Sequence, residues 1–96
     1  MNITDLKNKL SPIFRNYGIK QAAVFGSVSR GEDRPNSDVD LLVKLGDQPM
    51  GMFKYMGLIE EIEEKLGKKV DLLTEGSVNK FLEPYITPDL KNIYEG

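Results

Sequence analysis

Apolar residues recur at Ile3, Leu6, Leu10, Ile13, Phe14 and Tyr17, three or four apart, so residues 3–17 are predicted to form an amphipathic helix. Thr4 is its expected N-cap, Asp5 lies in its first turn, and Gly18 stops it. Pro12 falls inside the pattern and either kinks this helix or starts a second one capped by Ser11. The period then changes. Residues 20–25, KQAAVF, read as a short buried strand, 27–31 as one helical turn, and 32–37 as a loop with turn chemistry at Pro35-Asn36. Residues 38–45 read as a second strand. After a loop over 46–51, a long helix is predicted at 52–66. Met52, Tyr55, Met56, Ile59, Ile62 and Leu66 form its apolar side, and Glu60, Glu61, Glu63 and Glu64 form a solvated face. Gly67 ends that helix, and 69–74, KVDLLT, is a third short strand. Short helices are expected at 77–83 and 88–94, the second with Thr87 as cap and Pro88 in its first position. The sum is an α/β domain over residues 1–96 with a small three-stranded sheet flanked by helices. Only two connections contain helices of any length, so the sheet is expected to be mixed.

Composition removes several kinds of chemistry. The chain has 96 residues, enough for one core, and its 40% hydrophobic and 29% charged residues are ordinary for a globular domain. Its net charge of −2 gives no general attraction to DNA or RNA, so no direct nucleic-acid binding is expected. With no Cys there is no disulfide, no thiolate and no Cys-based zinc site; with no His the commonest general base and metal ligand is missing too. Any catalysis must use carboxylates, hydroxyls, Lys, Arg or a metal. No apolar run approaches the ~18 residues of a membrane span, and the N-terminal MNITDLKNKL is too polar for a secretory signal, so a cytoplasmic protein is the expectation.

The chemistry concentrates in residues 26–40, GSVSRGEDRPNSDVD. Gly26 and Ser27 follow an apolar strand, and the small residues and backbone N–H groups of that turn suit a phosphate. Ten residues separate Ser27 from Asp38. Asp38 and Asp40 are two apart on a strand and share one face, with Val39 and Leu41 on the other. Two carboxylates side by side repel, and a hard divalent cation such as Mg²⁺ relieves the repulsion, commonly together with substrate phosphates. Asp71 is a third acid, set in an otherwise apolar strand, where a lone carboxylate is costly unless it meets a cation or faces a cleft. Together the three acids could hold two metal ions, and Asp71 is the candidate to take a proton from an attacking hydroxyl or to hold the metal that activates it. Taken singly, each piece has a plainer reading: Gly26-Ser27 as a turn and cap, Asp38 and Asp40 as a solvated strand face, Asp71 as an acid paired with Lys68 or Lys69, Arg30 as a salt-bridge residue, and Ser37 as a loop cap.

The order GS, ten residues, DVD, and a later Asp on the next strand resembles the DNA polymerase β-type nucleotidyltransferase superfamily. The form GSVSRG…SDVDLLV is most similar to the minimal nucleotidyltransferases, the antitoxin halves of HEPN/MNT toxin–antitoxin pairs. The close match covers residues 24–45, and the element order extends it along the chain. The resemblance implies Mg²⁺-dependent transfer of AMP from ATP to an acceptor hydroxyl. It implies that Gly26 and Ser27 hold the triphosphate, that Asp38 and Asp40 hold both metals, and that Asp71 serves the attacking hydroxyl. Arg30 matches the family's usual Arg, as a phosphate contact or a brace for the loop. Ser37 joins Gly26, Ser27 and Arg30 as a candidate nucleotide-binding residue.

The chain leaves no residues for an acceptor-binding domain, so the acceptor is expected to be a partner protein. The resemblance suggests a HEPN toxin modified on a Tyr. Phe53, off the core stripe of its helix, and Met50, in the loop before it, are candidates for the partner surface. Two other readings stand beside this one: an antitoxin that acts by binding alone, and the catalytic subunit of a small-molecule nucleotidyltransferase.

Overall fold

In a computed structural model, residues 2–32, 34, 38–46, 50–74 and 90–96 are described. Helix α1 (Ile3–Asn16) leads into β1 (Ile19–Phe25), the single turn α2 (Ser27–Arg30), β2 (Val39–Leu45), α3 (Met52–Leu66), β3 (Val70–Thr74) and β4 (Lys91–Glu95). The sheet order is β3-β2-β1-β4. β1 runs antiparallel to both β2 and β4, and β2 runs parallel to β3. The sheet is mixed, as expected, but has four strands rather than three.

The extra strand corrects the helix expected at 88–94, while the helix expected at 77–83, Thr87 and Pro88 lie outside the described residues. The pairing of β4 explains the misreading. Ala22 faces Tyr94 and Ala23 faces Asn92, so Ile93 is an extra residue in the ladder. That bulge lets consecutive Ile93 and Tyr94 both be buried. The two-residue alternation that marks a strand is thereby lost.

α1 is one helix through Pro12. Its cap is Asn2, not Thr4: the Asn2 side chain accepts from Thr4 N–H at 2.7 Å and Asp5 N–H at 3.4 Å. Leu6, Leu10 and Phe14 are fully buried, and Phe14 meets Tyr94 of β4 with ring centroids 5.5 Å apart. On α3 the buried line is Leu58 and Ile62, flanked by half-buried Tyr55, Ile59 and Leu66. Met52 and Met56, expected on the core side, are 77% and 53% exposed, and Phe53 is 93% exposed. Met50, expected on an exposed partner surface, is half-buried against the core instead.

Both long helices cover one face of the sheet. Val24, Val39, Leu41, Val43, Val70 and Leu72 point into that layer, each at about 1.5–3 kcal/mol of burial free energy. The alternate residues Phe25, Asp40, Leu42, Asp71 and Leu73 occupy the opposite face, where all are half-buried or exposed. Among the described residues no helix is long and apolar enough to cross a membrane.

The cap is testable. Asn2→Ala should cost about 1 kcal/mol, lowering the melting temperature by roughly 4–8 °C in a domain this small. Thr4→Ala should cost clearly less, since the Thr4 side chain does not cap the helix. Equal losses in a thermal melt would contradict Asn2 as the cap.

Candidate active site

The site lies where β1 ends and β2 and β3 begin, on the face away from the long helices. β1 delivers Gly26. Its φ of 74° and ψ of −151° belong to a region that side-chain-bearing residues rarely enter. Space makes the same demand: a Cβ here would lie 2.3 Å from Oδ2 of Asp40. The backbone of the first turn therefore approaches the Asp40 carboxylate as closely as a chain can. Ser27 follows, half-buried at the start of α2. The turn is closed by Arg30 N–H donating to Gly26 O at 3.2 Å and Glu32 N–H donating to Ser27 O at 2.8 Å.

β2 and β3 deliver the acids. Parallel pairing sets Asp40 directly beside Asp71, as it sets Val39 beside Val70 and Leu41 beside Leu72. Hydrophobic burial on one face thus fixes which residues stand together on the other. Asp38 is exposed one residue before β2, on the Asp40 side of the alternation. Partial burial pushes the Asp40 carboxyl above the ordinary aspartate range. The negative charges of Asp71 and Asp38 and a hydrogen bond with Asp71 push it the same way, and the Arg30 guanidinium opposes them.

Arg30 also donates from Nε to Glu32 Oε2 at 3.0 Å, a surface pair with side chains 45% and 65% exposed. Gly26, Asp38, Asp40, Asp71 and the charge of Arg30 therefore converge, and Ser27 adjoins them. Ser37 lies outside the described residues.

Among the described residues no group of three acids closes into a ready-made metal cage. Mg²⁺ does not need one. It is commonly held by one or two carboxylates, with phosphate oxygens and water completing the shell. The crowded, all-oxygen set at Asp40 fits such an ion, because a cation would offset both the burial and the neighbouring negative charges that raise the Asp40 carboxyl.

Three residues that sequence reasoning passed over hold this site from behind. Lys91 of β4 donates from Nζ to Ser29 O at 2.6 Å, tying the last strand to α2. Glu63 accepts from Val70 N–H at 3.0 Å, and the Tyr55 hydroxyl donates to Leu72 O. Lys91 was hidden by the bulge of its strand. Glu63 was hidden among the acids of a solvated face, although it is half-buried while Glu60, Glu61 and Glu64 are exposed.

Residues 6–94 match the family model of the nucleotidyltransferase domain. A candidate protein adenylyltransferase of Methanocaldococcus jannaschii is 41% identical over 86 residues, 90% of this chain and 91% of that one. A solved structure of a candidate minimal nucleotidyltransferase superposes with a TM-score of 0.77 at 28% identity, covering 95% of each chain. A chain from the complex of a tri-AMPylated Shewanella oneidensis HEPN toxin with its MNT antitoxin superposes with a TM-score of 0.74 at 18% identity. That match covers 99% of this chain and 74% of the other, and at such identity it speaks for the fold.

The contact between Gly26 and Asp40 sets a test. Gly26→Ala adds both a strained backbone, at roughly 1–3 kcal/mol, and a collision with Oδ2 of Asp40. Asp40→Ala removes only the collision. A double-mutant cycle read by thermal melting should therefore return part, not all, of the stability lost in Gly26→Ala. Strict additivity of the two changes would mean that the side chain of Asp40 does not crowd the turn.

Proposed function

The chain belongs to the nucleotidyltransferase domain family, and from that premise we propose that it transfers AMP from ATP to a tyrosine hydroxyl of a HEPN-domain toxin, as the antitoxin of the pair. The observation that carries this reading is the parallel register that sets Asp40 beside Asp71, with Gly26 packed against Asp40. It is an arrangement suited to bringing a triphosphate and an attacking hydroxyl into contact, at about 3–3.5 Å. Relatives named as protein adenylyltransferases support the reaction class. The partner and its tyrosine rest on the family resemblance.

In this reading the 96 residues act in the cytoplasm as one domain. Gly26 and Ser27 contact the triphosphate through backbone N–H groups and the Ser27 hydroxyl. Ser37 and Arg30 add contacts at the phosphates. Asp38 and Asp40 would hold Mg²⁺, with Asp71 completing a site for two ions. When bound, the ions supply charge neutralisation on the phosphates and lower the pKa of the acceptor hydroxyl. Asp71 accepts the proton of the tyrosine hydroxyl as its oxygen forms a bond to the α-phosphorus. The bond from that phosphorus to the bridging oxygen breaks, and pyrophosphate leaves with the bond's electrons.

Occupancy without chemistry is the second reading, and one observation favours giving it room. Met52, Phe53 and Met56 form an exposed apolar patch on the first turns of α3, a surface suited to a protein partner.

Two experiments separate the readings. Co-expression with the adjacent-gene toxin, followed by intact mass spectrometry, should give a toxin mass increased by one or more AMP groups. Replacing both carboxylates, Asp38→Asn with Asp40→Asn, should abolish that gain and lower the transfer rate by at least about a hundredfold, since charge stabilisation of the transferred group is lost. The fold and the toxin complex should survive, because a repelling pair has been neutralised. Growth protection by the double variant with an unmodified toxin would decide for occupancy.

The patch gives a separate expectation. Phe53→Ser should weaken toxin binding at least about tenfold, as truncating a central aromatic anchor does. Its melting temperature should hold, because Phe53 contributes nothing to the core. Unchanged affinity by calorimetry would move the interface elsewhere.

A further inference from the structure

Among the described residues β3 is an edge strand, with β2 on one side. Edge strands are the least constrained part of a sheet, since half of their backbone groups have no ladder partner. Backbone groups alternate in direction along a strand. Lys69 O turns toward β2, where it accepts from Val39 N–H at 3.0 Å, so the backbone groups of Asp71 and Leu73 turn the same way. The groups of Val70 and Leu72 turn outward. Both meet a side chain of α3: Val70 N–H donates to Oε2 of Glu63 at 3.0 Å, and Leu72 O accepts from the Tyr55 hydroxyl. The two contacts flank Asp71, one residue before it and one after.

This pairing is not what an ordinary amphipathic helix on a sheet provides. Leu58 and Ile62 already seat α3 on the core, but apolar contacts are non-directional and leave β3 free to shift by a fraction of an ångström. Glu63 and Tyr55 add direction, since a hydrogen bond at each end removes that freedom. The Tyr55 phenol carries its hydrogen near neutral pH, and partial burial pushes its pKa further above the ordinary range. The Asp71 side chain is exposed and hydrogen-bonds with Asp40, so the level at which it stands is set by the backbone of β3. A carboxylate that meets an attacking hydroxyl has to be held to a fraction of an ångström, and about 1 Å of misplacement can cost a hundredfold in rate.

We propose that Glu63 and Tyr55 are positioning residues for Asp71, fastening the backbone of β3 on both sides of it so that its carboxylate stays level with Asp40. The inference rests on the nucleotidyl-transfer reading for its kinetic consequence, and on the two hydrogen bonds alone for its structural one.

The test uses the full chain with Mg²⁺, ATP and the toxin acceptor, with wild type and Asp71→Asn as the active and inactive references. Glu63→Ala and Tyr55→Phe should each lower kcat about tenfold or more. The KM for ATP should stay within about twofold, because Gly26, Ser27, Asp38 and Asp40 are untouched. Glu63→Gln, which keeps an oxygen acceptor without the charge, should restore most of the rate. Amide hydrogen exchange should quicken over 70–73 in Glu63→Ala and Tyr55→Phe and return toward wild type in Glu63→Gln.

Unchanged kcat in Glu63→Ala and Tyr55→Phe would overturn the proposal. So would a rate loss that tracks only the fraction of unfolded protein, or a Glu63→Gln variant as slow as Glu63→Ala. If wild type transfers nothing, the functional reading fails by itself, and the exchange data still decide the brace. Quickened exchange confined to 70–73 supports it, and unaltered exchange there overturns it.

Discussion

The parallel pairing of β2 with β3 is the constraint from which the rest follows. It sets Val39 beside Val70 and Leu41 beside Leu72 on the buried face, and the same register leaves Asp40 beside Asp71 on the other. Neither half is separable. A slip of one residue would carry the apolar set into solvent and both acids into the core, at the cost of several buried side chains and two desolvated charges. The free energy that holds two like charges together thus comes from the helix-covered side of the sheet. Burial first, and then the charges of Asp71 and Asp38, push the Asp40 carboxyl above the ordinary aspartate range.

That repulsion gives the site its chemistry. An oxygen-rich, negatively charged ledge attracts divalent cations and, through them, phosphates. The turn at Gly26 packs against the ledge without a side chain, because a Cβ there would collide with Oδ2 of Asp40. Arg30 tempers the charge without cancelling it, and its pairing with exposed Glu32 is worth at most about 1 kcal/mol. The arrangement resembles an electrostatic socket more than a preformed cage, one that phosphate oxygens would complete in the proposed reaction.

α3 stands behind this socket with three surfaces. Leu58 and Ile62 enter the core, Tyr55 and Glu63 reach the outer edge of β3, and Met52, Phe53 and Met56 face solvent. The same helix that presents an apolar patch therefore also holds the strand carrying the third acid. Lys91 does comparable work for the turn of α2, from β4 at the other end of the strand order.

The sequence by itself determined the chemistry and most of the frame. The helical spacing of Leu6, Leu10 and Phe14, the alternation around Asp38 and Asp40, and Gly26 with Ser27 after an apolar strand are local patterns. Local patterns survive in a linear reading, because side-chain period and backbone allowance are properties of neighbouring residues. The α3 boundaries and the first three strands were legible for the same reason. What lay beyond reach depends on residues distant in the chain. Ile93 and Tyr94 are both buried because β4 bulges against β1, so their strand carried no alternation and read as a helix. Met52 and Met56 face outward because the contact of α3 with the sheet is centred on Leu58 and Ile62, a rotation that periodicity cannot choose among adjacent apolar residues. Met50, Glu63 and Lys91 were misjudged or unseen because each takes its place from a partner in another element. Only the packed sheet, by fixing the register of β2 and β3, decided that Asp71 would stand level with Asp40.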